Sequence, residues 1–128
     1  MAGLTGPESG MVLAHFIVSA DVERSRRFYT DVLGCELVQD FEPWPGARLV
    51  EVVPPGSSVG FVLLPPDSPI PVAVRMGTSD AYVAFERLRE LGVTLHNDAV
   101  VEMDGAPPMF FFADPDGNGL VYLQEDVD

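Results

Sequence analysis

A chain of 128 residues, 47% apolar and 21% charged, is sized for one domain that buries roughly two-thirds of the surface its unfolded form exposes. Twenty acidic residues against seven basic ones leave a net charge of −13, which repels phosphate backbones and anionic membranes and so argues against nucleic acid and membrane partners. All seven basic residues are arginines, which excludes lysine Schiff-base chemistry, and the single cysteine, Cys35, excludes an internal disulfide or a thiolate metal cluster.

In chain order, the N-terminal "MAGLTGPESG" carries neither the basic nor the apolar region of a signal peptide. The longest apolar runs, "MVLAHFIVSA" and "PPMFFFA", have strand length rather than bilayer length, so a cytoplasmic location is expected. "VLAHFIVS" is the first predicted strand. Alternation sends Ala14, Phe16 and Val18 to one face and Leu13, His15 and Ile17 to the other. The small and bulky apolar set suits helix packing, which leaves His15 facing a cleft.

Next, "SADVERSRRFYTDVLG" places Val22, Ser25, Phe28, Tyr29, Val32 and Leu33 at helical spacing, with Asp21 as N-cap, Gly34 as the stop and Arg24, Arg26 and Arg27 facing water. "CELVQDF", "ARLVEVV" and "SVGFVLL" follow as strands, completing a βαβββ unit over residues 11–66. Cys35, at the start of an apolar segment, reads as a packing residue.

The pattern then repeats over residues 69–125. "IPVAVRMG" is a strand, and "SDAYVAFERLRELG" a helix with Ala81, Ala84, Phe85, Leu88 and Leu91 inward. "VTLHND", "AVVEMD", "PMFFFAD" and "GLVYLQ" are strands. "LGCELVQD" and "LGVTLHND" share Leu, Gly, Leu and Asp at a common offset of 58 positions, the mark of an internal duplication. Each unit covers one face of its sheet with a helix. Two units would shelter the remaining faces, which makes the expected fold α+β: two tandem βαβββ modules, a curved mixed sheet around a cleft, helices outside.

The histidine-bearing strand, the D-x-x-x-S-x-x-F-Y-x-x-V-L-G run from Asp21 to Gly34 and the D-P-D-G-N turn from Asp114 to Asn118 together resemble the glyoxalase, bleomycin-resistance and extradiol-dioxygenase superfamily of vicinal oxygen chelate proteins. The resemblance covers about Met11 to Gln124. It implies that metal-dependent members take four ligands from the first and last strand of each module. Those positions fall here on His15, near Phe61 or Val62, near Ala73, and on Val121. Hydrocarbon at three of the four leaves a divalent ion too few donors, so no metal and no other cofactor is expected.

The D-P-D-G-N turn is scaffold, with Pro115 presetting φ and Gly117 and Asn118 tolerating positive φ. The strand behind it offers Val121 and Leu123 to an apolar guest. Among polar groups, His15 serves as a ligand contact, an acid or base, or a relic of a metal site, while His96 in "LHND" reads as exposed. Arg75, at the parity of Ala73, either pairs with an interior carboxylate such as Glu51 or meets the ligand. Trp44, on a proline-flanked loop, packs on the domain edge or stacks on a flat ligand. Met109 and Phe111 share one face of their strand and Phe110 and Phe112 the other; either pair could line the cleft.

The ligand-binding set is therefore His15, Trp44, Glu51, Phe61, Arg75, Met109, Phe111 and Val121. The function expected is metal-independent capture of a small aromatic or polycyclic molecule, with the acidic chain drawing a cation more readily than an anion. The alternative is a metal-free lyase or isomerase with His15 as acid or base, and a metal-dependent glyoxalase or dioxygenase ranks last. The resemblance also implies a homodimer.

Overall fold

The computed structural model describes residues 10–125; residues 1–9 of the stretch read above for a signal peptide lie outside them. Among the described residues no helix is long and apolar enough to cross a membrane. The fold is α+β, and the chain divides into two compact units: residues 13–72, and residues 73–125 joined by residues 10–12.

The first unit runs β1 (Met11–Val18), α1 (Val22–Arg27), a π-helical turn (Phe28–Val32), β2 (Glu36–Phe41), β3 (Leu49–Val53) and β4 (Gly60–Leu64), with strand order β2-β3-β4-β1. The βα crossover makes β1 and β4 parallel, with His15 opposite Phe61 and Phe16 opposite Val62. β3 pairs antiparallel with both neighbours, and Val38 is left over in a bulge where β2 shifts register. Asp21 caps α1 by accepting from the Arg24 N–H at 3.0 Å.

Val22 of α1 packs on Cys35, Val50, Val52 and Leu63, with Ile17, Tyr29 and Phe61 at the margin. That cluster fixes which face of the sheet bears the helix. Since Ile17, Phe61 and Leu63 are on it, the registry puts His15 on it too. Ala14, Phe16, Val62, Leu64, Leu49, Glu51, Gln39 and Phe41 take the helix-free face. Gly60 is required where β4 starts, because a Cβ there would lie 2.6 Å from the Val52 carbonyl oxygen.

The second unit runs β5 (Val74–Thr78), α2 (Ala81–Glu90), β6 (Thr94–Leu95), β7 (Val101–Met103), β8 (Ala106–Ala113) and β9 (Gly119–Gln124). Strand order is β5-β9-β8-β6, with β7 also on β8. Asp80 caps α2 through the Tyr82 and Val83 N–H groups, and Gln124 accepts from the Ala81 N–H at 3.0 Å. Ala81, Ala84, Phe85 and Leu88 are buried against Phe110, Phe112 and Tyr122, as the helical spacing predicts. β6 and β7, predicted as separate strands, both pair antiparallel with β8. Where the ladder breaks between them, the Asn97 side chain accepts from the Phe111 N–H at 2.7 Å.

The two helices differ in one instructive way. Asp21 and Asp80, the N-caps, are 59 positions apart, whereas Gly34 and Gly92, both at positive φ just past the helices, are 58 apart. The π-turn accounts for the extra residue, since its i→i+5 bonding (Leu33 N–H to Phe28 O, 3.2 Å) is a one-residue insertion into an α-helix. The insertion also rotates the apolar stripe off the sheet. Phe28, Val32 and Leu33, expected inward, are exposed.

In the D-P-D-G-N turn, the Asp114 carboxylate accepts from the N–H groups of Asp116 and Asn118 and from the Asn118 side-chain amide. The Asn118 side chain first, then these backbone donors, hold its carboxyl below the usual range. Of the two residues that tolerate positive φ, Gly117 adopts it and Asn118 does not.

Candidate functional site

The helix-free faces are where the sequence placed the site, and registry decides which side chains reach them. In the first unit, Gln39, Glu51, Val62 and Phe16 form one rung across β2, β3, β4 and β1. The rung is polar at the β2 end and apolar at the β1 end. Gln39 Nε2 donates to Glu51 Oε1 at 2.6 Å, and both residues are half-buried. Phe16 and Val62 are buried.

In the second unit, Met76, Tyr122, Phe110 and Phe112 belong to the helix-side cluster, so Arg75, Val121, Phe111 and Met109 take the other face. The strand left open by the sequence is thereby assigned: Met109 and Phe111 point away from the helix. Val121 is buried, and Arg75, Met109 and Phe111 are half-buried.

His15 and Phe61 do not join these groups. His15 is exposed on the helix-bearing side, where its Nδ1–H donates to the Phe16 carbonyl at 2.9 Å, and Phe61 packs its ring on Tyr29 at 5.5 Å between centroids. This corrects the expectation that His15 faces the cleft. The physical cause is the choice of face: alternation separates Ala14 and Phe16 from His15 and Ile17, but residue size alone does not say which set the helix covers, and the helix packs on the Ile17 side. Trp44 lies in the loop after β2, 40% exposed.

With the offset corrected to 59, Ala14 corresponds to Ala73 and Val62 to Val121. The resemblance put the first ligand position on His15; since His15 lies on the helix-bearing side, its neighbour Ala14 takes the helix-free position, alongside Val62, Ala73 and Val121. None offers a donor atom. Among the described residues no group of three or more His, Cys, Asp or Glu side chains is placed to hold a metal ion. The residues present do not fit a chelated divalent cation.

On the helix-bearing side of the first unit, a cavity of about 460 Å³ is lined by Asp21, Glu23, Glu42, Arg48 and Asp67. Its polar wall is a latch missed in the sequence: Arg48 reaches both Glu23 of α1 and Asp40 of β2, each at 2.9 Å, and Arg26, expected to face water, also pairs with Glu23. Hydrogen bonds from Arg26 first and Arg48 second pull the Glu23 carboxyl from 4.5 to about 2. A lowered folded-state pKa stabilises the fold above the unfolded value and loses that contribution as pH falls through the folded one. Urea midpoints of the wild type should therefore decline from pH 4.5 toward pH 2 more steeply than those of Arg48→Ala. Equal slopes would remove the latch from the account of stability.

Comparison with known proteins agrees with this architecture. A methylmalonyl-CoA epimerase from Mycobacterium tuberculosis is 22% identical and superposes with a TM-score of 0.78, covering 97% of this chain and 93% of that one. A hypothetical protein from Bacillus halodurans C-125 gives 0.76 at 18% identity, over 94% of this chain and 97% of that one. A Streptomyces coelicolor methylmalonyl-CoA epimerase variant in complex with 2-nitronate-propionyl-CoA gives 0.73 at 17% identity, over 92% and 99%. At such identities the likeness is one of fold. No curated protein matches the chain in sequence. A family model does match, over residues 12–122, and with the paired βαβββ units it places this chain in the glyoxalase/bleomycin resistance protein/dioxygenase superfamily.

Proposed function

We propose that this chain is a metal-independent binding protein of the bleomycin-resistance type, which protects by holding a small drug or natural product unchanged. The observation that carries the reading is hydrocarbon at Ala14, Val62, Ala73 and Val121, where a chelating member needs donors. Apolar faces favour an aromatic or polycyclic guest, whose burial contributes about 25 cal/mol per Å². On the helix-free face of the first unit, Glu51 with Gln39 supply polar groups that orient such a guest; on the corresponding face of the second unit, Arg75, Met109 and Phe111 keep their place among the proposed ligand contacts. Trp44 offers a stacking surface. A cytoplasmic homodimer is part of the proposal, on family grounds.

An enzymatic version with His15 as acid or base gains nothing from its placement on the helix-bearing side. Equilibrium dialysis against acridine, with mass spectrometry of the released compound, tests capture against turnover. The expected result is retention of unchanged acridine, with affinity altered by less than about twofold after treatment with EDTA. A stoichiometric divalent ion in protein purified without chelators, or capture abolished by EDTA, would overturn the reading.

A further inference from the structure

We propose that the exposed edge of the first unit, Gln39 and Phe41 of β2, reads the guest, and that the guest is a planar aromatic ring bearing an N–H donor, best a cationic amine. This rests on the capture reading above and narrows its ligand class. A carboxylate can only accept, so the Gln39 amide must turn its NH₂ to Glu51 and its carbonyl oxygen outward. Gln39 has no other hydrogen bond among the described residues, and no side-chain polar atom there is both buried and unsatisfied. Its carbonyl oxygen is therefore an oriented acceptor open to solvent.

Phe41 follows two residues on, on the same face and about 7 Å along the strand, with 45% of its surface exposed. An exposed ring beside a fixed acceptor matches a flat molecule whose donor sits at the ring edge. The net charge of −13 favours a positive donor over a neutral one.

The test compares 9-aminoacridine, a cation with an exocyclic N–H donor, with acridine, the same ring without one, by quenching of Trp44 fluorescence. Wild-type protein should prefer 9-aminoacridine by about tenfold, the worth of one charge-assisted hydrogen bond. Gln39→Leu should reduce the preference to about twofold, with folding of the variant checked independently by its circular dichroism and urea midpoint. Glu51→Gln, which frees the Gln39 amide to turn, should reduce it as well. Phe41→Ala should weaken both probes. Preference retained in Gln39→Leu and Glu51→Gln, or both probes unaffected by Phe41→Ala, would overturn the proposal. Equal binding of the two probes by wild type would end this inference and leave capture standing; binding of neither would end both.

Discussion

Val62→Glu is expected to cost about 3–5 kcal/mol at neutral pH, because it buries an unpaired charge. Val62 is 1% exposed, with Phe16 on one side of its rung and the Glu51 carboxylate on the other. The new carboxyl meets no cation in that rung, so its folded pKa would rise. The sign follows: little penalty below the ordinary glutamate value of about 4.3, and a growing one as pH climbs above it. Urea midpoints at pH 4 and pH 7, with and without millimolar nickel or manganese, measure the effect. Restoration of stability by either metal would show that a single carboxylate completes a chelating site, against the donor count made here.

Phe110→Ala should cost about 3–5 kcal/mol, the usual penalty for emptying a buried aromatic site. Phe110 is fully buried, with its ring 5.2 Å from Phe85, 5.6 Å from Phe112 and 5.7 Å from Tyr122, so a truncation leaves a cavity walled by rings that cannot collapse together. The next residue supplies the control. Phe111→Ala, on the other face and half-buried, should cost about 1 kcal/mol in the same melts. Reversed magnitudes would mean that β8 presents the opposite faces to helix and solvent.

The elements themselves were legible because local signals agreed: an N-cap at Asp21, a glycine stop at Gly34, and strand-length apolar runs between turn formers. The second helix was read nearly residue by residue, since Ala81, Ala84, Phe85 and Leu88 keep an undisturbed 3.6-residue period. The first was not. Periodicity has no symbol for an inserted residue, so Phe28, Val32 and Leu33 were drawn inward although the π-turn holds them in solvent.

His15 goes to the wrong side for a different reason: alternation divides β1 into two faces, but the size of Ala14, Phe16 and Val18 does not reveal which face the helix covers. Alternation alone put Arg75 at the parity of Ala73 and Met109 with Phe111 on one face, which needs no knowledge of the offset, but which face Met109 and Phe111 take is decided only by the registry with β9. Gln39, Asn97 and Arg48 went unseen for another reason. Each acts through a partner in a different element, and nothing in a linear pattern announces a hydrogen bond across strands or an ion pair 25 residues away.

The extra residue in the first helix has a practical bearing on protein engineering. The halves are offset by 59 at the N-caps, by 58 at the glycine stops and by 59 again on the last strand of each unit, so a chimera that transplants one half onto the other must be spliced on the N-terminal side of the turn. A graft joined beyond it, with numbering shifted uniformly, would turn every side chain of the preceding strand inside out.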